Sequence, residues 1–556
     1  MQRTLGVAVL SSLALILGAC ADSSADDPSE LPGTSGESDD ETGTNGDGDG
    51  DPEPVDFGPV RGDLVITSVE VSQSIVQPVF EAGAEVSAVD YQVPLVKNRY
   101  TIVRALWDTP EGWTPRPLTA KLTISLPDGT EVELLDYQTE TGTPPVVDSE
   151  STPSDLFSGF FWRIDPELVV PGMRYQIAIV ETAPADAIPA STVATEYPSA
   201  PAELPIQPDD VQIRIALVGV NFNYGGCVSD TSVLPEDELE ALRAGFEAWN
   251  GVETNAVIID TSLSVDIDYS VSGVPALLGV VGQIRGQLAE SIPDAFFYIL
   301  WDDCSPFAQG ILGIAPVNND PPEIGDAATR YAAGLWNPND VRESVNTAVH
   351  EIGHNQGAPH APCGVGNDYD PEYPHGGASI GIRGLDPLDG QMYSPNSHTD
   401  FMSYCRPYWV SDYRWNKSFN HQRIITSWGA GAAPSPDSPA VDGYAGAVLV
   451  GLILPGSETQ WWINTREHAP RLDPGLEVEL ELGGAVVSTA GRIKELPDLP
   501  GAKLVEVPLT TGVDADVITG IRVHGLGVEA LSVGPAIRDH RGLKFRGTPF
   551  SRVSAH

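Results

Sequence analysis

The chain has 556 residues, with 78 acidic against 30 basic side chains and a formal charge of -48. A surface of that sign repels polyanions, which excludes nucleic acid and anionic membrane faces as electrostatic partners. Surface carboxylates could take up Ca2+, but no calcium motif supports this, and solubility alone accounts for the charge.

At the N-terminus, Met1-Gln2-Arg3 leads into an apolar run from Leu5 to Leu17, followed by Gly18-Ala19-Cys20. This is the layout of a secretory signal with a small-residue cleavage site, and the run is too short to span a bilayer. The residues around Cys20 resemble a bacterial lipobox. That implies a lipoprotein signal over residues 1–20, a lipid on Cys20, and an extracytoplasmic protein held to the outer membrane or cell surface by the lipid alone. Residues 21–57 are Ser, Thr, Gly, Pro, Asp and Glu almost throughout and read as a disordered acidic tether. Within it, Asp47 to Asp51 has the start of an EF-hand loop, but Pro52 stands where the turn needs Gly and Gly58 where it needs Glu.

The remainder has room for about three domains. Over residues 58–208, runs such as Leu64 to Val71, Tyr100 to Leu106 and Ala120 to Leu126 are rich in β-branched residues and broken by Pro and Gly. A Pro127-Asp128-Gly129 turn marks a hairpin. The pattern predicts an all-β, immunoglobulin-like sandwich with a spacing or docking role. Residues 209–428 change to mixed α/β. A buried strand is expected at Ile213 to Val220, a helix at Pro235 to Trp249, another at Pro275 to Glu290, an apolar strand at Ala295 to Trp301, and a helix over about 339–355. From 429 to 556 short alternating strands return, and a second β-sandwich is expected. The fold class is therefore multidomain α+β, a mixed α/β domain flanked by two all-β domains.

The helix ending near Asn355 carries His350-Glu351-Ile352-Gly353-His354, and Gly357 and His360 follow. Residues four apart on a helix project from one face, so His350 and His354 can grip one ion together. Glu351 then points beside the ion, placed to take a proton from a water activated by the metal. Gly357 permits a sharp exit from the helix, Pro359 prevents its resumption, and His360 comes round as a third ligand. Three imidazoles with one open position is the arrangement of a catalytic rather than a structural Zn2+.

This segment resembles the elongated zinc motif of the metzincin metallopeptidases. The resemblance implies a downstream turn with a methionine beneath the metal, and Asp400-Phe401-Met402-Ser403-Tyr404-Cys405 supplies one. Met402 is implied as the apolar floor and Tyr404 as a stabiliser of the oxyanion, its alternative role being aromatic packing. The implied activity is zinc-dependent endoproteolysis of extracellular protein or glycoprotein, with Glu351 as base and then acid. The alternative is a surface adhesin or glycan-binding lipoprotein whose central domain is inactive or hydrolyses a non-peptide amide.

Cys20 aside, Cys227, Cys304, Cys363 and Cys405 remain, and four cysteines in an exported chain permit three disulfide pairings. If both metzincin-like motifs surround one ion, Cys363 and Cys405 are close, which favours pairing them and leaves Cys227 with Cys304. His375 and His398, between the two motifs, are candidates to line the cleft.

Overall fold

The computed structural model describes residues 57–543 apart from 182–187, 225–226, 232–233, 255, 260–263, 267–274, 290, 303–310, 429–441 and 467. The expectations for the signal, Cys20, nearly all of the tether and Cys304 fall outside these residues. Among the described residues no helix is long and apolar enough to cross a membrane. The chain is a mixed α+β protein in which strands outnumber helices.

The first part is built from strands β1 (Val65–Ser72), β2 (Ser74–Glu81), β3 (Thr101–Asp108), β4 (Thr119–Ser125), β5 (Glu131–Leu135), β6 (Phe160–Ile164) and β7 (Arg174–Glu181). One antiparallel sheet holds β5-β4-β7 and the other β6-β3-β1-β2. Alternate residues of both sheets, among them Val69, Val103, Leu122, Trp162 and Ile177, meet in a common core. The expected hairpin joins β4 to β5, with Gly129 at a φ of 89° that only glycine adopts without strain. The second sheet does not stop at this region: Gly384–Leu385 pairs with β2 and Met392–Tyr393 with Gly384–Leu385. Thus the segment between His360 and Met402 is pinned to the N-terminal sheet.

The middle part comprises β8 (Arg214–Tyr224), α1 (Glu236–Trp249), α2 (Pro275–Leu288), β9 (Ala295–Asp302), β10 (Gly313–Ile314), β11 (Tyr331–Trp336), α3 (Val341–Asn355) and α4 (Asp412–Thr426). Strands β8, β9 and β11 run parallel in that order, and β10 closes the edge antiparallel to β11. Strand periodicity divides the buried residues between two faces. Ile215, Leu217, Phe296, Tyr298 and Leu300 pack with α1 and α3, through Leu242, Phe246, Val349 and Ile352. Ala216, Val218, Phe297, Ile299 and Trp301 face α2, through Leu278, Val281 and Ile284.

The last part contains β12 (Tyr444–Ile453), β13 (Gln460–Thr465), β14 (Glu477–Leu482), β15 (Ala485–Ala490), β16 (Arg492–Glu495), β17 (Lys503–Thr510), β18 (Ile518–Gly525) and β19 (Val528–Val533). Sheets β16-β17-β12-β13 and β15-β14-β18-β19 enclose a core that includes Leu449, Ile463, Val478, Val507 and Ile521. The first sheet buries its other face as well. Val448, Val450, Leu452, Trp462 and Leu504 share the core of α2 and the parallel sheet. Close approach rests on glycines of α2: a Cβ at Gly286 would stand 2.3 Å from the Thr465 carbonyl oxygen, and one at Gly279 2.9 Å from the Trp462 ring.

Candidate metal centre

Helix α3 starts at Asp340, whose carboxylate accepts the Glu343 N–H at 3.1 Å, and it buries nearly all of its last two turns. His350 and His354 project from one side of it. Each Nδ1 donates to a main-chain carbonyl, His350 to Phe401 at 2.8 Å and His354 to Ala358 at 2.6 Å. A carbonyl can only accept, so Nδ1 carries the proton and the lone pair of each ring is left on Nε2. Burial also drives the His354 imidazole down to about 4, which keeps it in the neutral form that ligates metals.

Gly357 ends the helix at a φ of 79°, and a Cβ there would lie 2.7 Å from that of Asp320. His360 follows on a loop bound to the 400–405 turn: the Ala361 N–H donates to the Met402 carbonyl at 2.9 Å and the Tyr404 N–H to the Cys363 carbonyl at 3.0 Å. A Cys363–Cys405 disulfide with a Cα separation of 5.7 Å joins the same two segments. Met402 is fully buried, and a Cβ on Gly353 would reach within 2.5 Å of its sulfur, so this methionine packs directly against the helix that carries His350 and His354.

Buried charges brace both segments. The buried Arg414 of α4 donates to the Pro359 carbonyl at 2.5 Å and to Asp370 at 3.3 Å, while Asp370 takes part in the loop whose main chain bonds His360 at 2.8 Å. Asp400 accepts the Met402 N–H at 2.9 Å and the Ser411 N–H at 3.2 Å, which fixes the turn.

The sequence predicts an open fourth position, and here the structure differs. Asp498, in the turn between β16 and β17, places its carboxylate among the three rings. Its oxygens lie 3.5 Å from His350 Nε2, 3.3 Å from His354 Nε2 and 3.2 Å from His360 Nε2. The four donor atoms fall within 4.8 Å of one another. Although they are that near, the buried Nε2 atoms of His350 and His354 make no hydrogen bond. Buried lone pairs without a donor are costly, and their convergence fits a divalent cation. Tyr404, with its ring centroid 4.8 Å from that of His360, donates its hydroxyl to Asp498 at 2.7 Å.

Glu351 is buried beside this group, against the edge strand: a Cβ on Gly313 would fall 2.2 Å from its Oε1. Burial first, and then the neighbouring Asp498 carboxylate, push Glu351 well above the usual carboxylate range. A cavity of about 340 Å3 opens next to it, lined among others by Leu312, Asn346, Thr347, Arg406 and Tyr408.

His375 and His398 stand apart from the centre. His375 pairs with Asp412 at 2.6 Å, and His398 packs against Tyr393. Cys227 lies in a short strand paired with β8, and its expected partner Cys304 is outside the described residues. No protein-family model matches the chain, and no curated protein matches it.

Proposed function

We propose that the chain is a zinc-dependent endopeptidase of metzincin type, anchored outside the cytoplasm through a lipid on Cys20 and acting on protein or glycoprotein. The observation that supports this most directly is the convergence of three imidazoles, two of them oriented by main-chain carbonyls, with a buried carboxyl group beside them at the wall of a cleft. His350, His354 and His360 would hold the zinc, which when bound supplies a Lewis acid that acidifies water and polarises a carbonyl. Glu351 takes the proton of the attacking water and passes it to the leaving amine. Its raised proton affinity suits that exchange, because a carboxyl group that holds a proton more readily than an ordinary carboxylate can take it from water and carry it to the amine. Tyr404 reaches the same space with its hydroxyl and donates to the developing oxyanion. Strand β10, at the sheet edge beside Glu351, offers main-chain groups to an extended peptide.

One observation favours a second reading. A carboxylate at the fourth position is how a closed, structural metal site is completed, and in that case the protein is a surface binding lipoprotein. Cleavage of denatured casein by the chain lacking residues 1–20 separates the two, measured beside Glu351→Gln and a chelator. Metal content should be retained in Glu351→Gln while turnover falls by about 10²- to 10⁴-fold, the usual contribution of a general base. Full activity in that variant rules out the assigned role.

A further inference from the structure

We infer that Asp498 is an intramolecular latch, a carboxylate carried by the C-terminal sheets that occupies the working position of the metal and holds the enzyme inactive until the β16–β17 turn is lifted. The inference rests on the endopeptidase reading above. Three things on one side chain carry it. Its two oxygens reach all three imidazoles at 3.2–3.5 Å. It accepts the Tyr404 hydroxyl, so a single group takes both the position of the water and the donor meant for the oxyanion. Its side chain is only 9% exposed, so solvent does not compete for it.

The turn that presents it is firmly built. Leu496 and Ala502 are buried at its two ends in the core shared with α2. The Leu499 N–H donates to the Leu496 carbonyl at 3.0 Å, and the Ala502 N–H to the Leu499 carbonyl at 2.8 Å. One residue before the turn, the Glu495 carbonyl accepts the Val317 N–H at 3.1 Å, tying β16 to the loop that leads out of β10. Further back along β16, Arg492 and Lys494 pair with the buried Asp326. A chance surface contact would lack this framework. The cavity lined by Thr347, Arg406 and Tyr408 remains formed with Asp498 in place. Latency therefore comes from occupation of one position, with no collapse of the cleft. Release falls to the tip, where Pro500 and Gly501 are exposed and cleavage or displacement would free Asp498 without unpacking the sheets.

The test compares the full chain with Asp498→Ala and Asp498→Asn, each loaded with Co2+, reading metal content, the visible Co2+ spectrum, affinity for acetohydroxamate and cleavage of a peptide library. Asp498→Ala should retain the metal, change the spectrum and bind acetohydroxamate at least about tenfold more tightly, because apparent affinity falls by the fraction of time that the position stands open. Peptide cleavage should rise with it. Asp498→Asn, which keeps the shape, covers the case in which the alanine variant does not fold. An unchanged spectrum and unchanged hydroxamate affinity overturn the latch. Loss of the metal from a folded variant also overturns it, since Asp498 is then a permanent structural ligand. If the metal opens to hydroxamate and no peptide is cut, the latch stands and the endopeptidase reading falls.

Discussion

Gly357 meets two demands at once, a left-handed backbone and a neighbour too close for any β-carbon. Replacing it with Ala is expected to cost about 1–2 kcal/mol for the backbone conformation alone. The contact with Asp320 adds to that, and because the loop it begins carries His360, metal affinity should fall together with the melting temperature. Calorimetry and metal titration of Gly357→Ala check both; a lower melting temperature with unchanged affinity would show that the His360 loop is held by the disulfide and Arg414 alone. At this scale the convergence of His350, His354 and His360 was legible because its causes are local: a helix brings positions four apart together, and a glycine followed by a proline turns the chain. Asp498 was not. It lies 138 residues beyond His360 in a Leu-Pro-Asp-Leu-Pro run with no signature, and only the packing of one sheet on another brings it to the imidazoles. Arg414 escaped for the same reason, as a buried charge whose partners are set by tertiary structure.

Among the elements, β16 connects the chemistry to the scaffold. Lys494 on this strand is buried, donates to Asn318 at 3.1 Å, and shares Asp326 with Arg492. Asn318 in turn is bound to α3, its N–H donating to the His354 carbonyl at 3.1 Å. Burial, with Arg492 adding to it, pulls the Lys494 ammonium down to about 7 from an ordinary 10.5. Between those values the unfolded chain binds a proton that the folded chain has released, so this group makes stability rise with pH from about 7 to about 10. In Lys494→Met that rise should vanish. The melting temperatures of the two chains, compared from pH 7 to 9.5, should diverge with the wild type gaining on the variant; parallel curves would mean that the ammonium stays charged in the fold. Helices and strands themselves were largely readable from hydrophobic period, since α1, α2, α3 and β9 start and stop within a few residues of where apolar spacing puts them. Less readable was the glycine spacing of α2, because Gly279, Gly282 and Gly286 are neutral in a periodicity count and acquire meaning only against β13.

For the whole molecule, sequence composition predicts three bodies in a row. Composition changes mark where chain types alternate, but they do not say whether a sheet has one buried face or two. The sheet of β12, β13, β16 and β17 has two, and its second face completes the core on α2. Val448, Val450, Leu452, Trp462 and Leu504 belong to that shared core, and burying such side chains contributes about 1.5–3 kcal/mol each. Their sum is comparable with the whole net stability of a domain, about 5–15 kcal/mol. A chain ending at residue 428 would expose the α2 face of that core, so it should lose cooperative unfolding and associate in solution, although it retains all three histidines and Glu351. Sedimentation and thermal unfolding decide the matter. A monomeric truncation that melts like the full chain would make the C-terminal sheets an appendage, whereas loss of the fold means that the part carrying Asp498 is also the part without which the histidine-bearing helix has no stable support, so that the latch cannot be removed by deleting its domain.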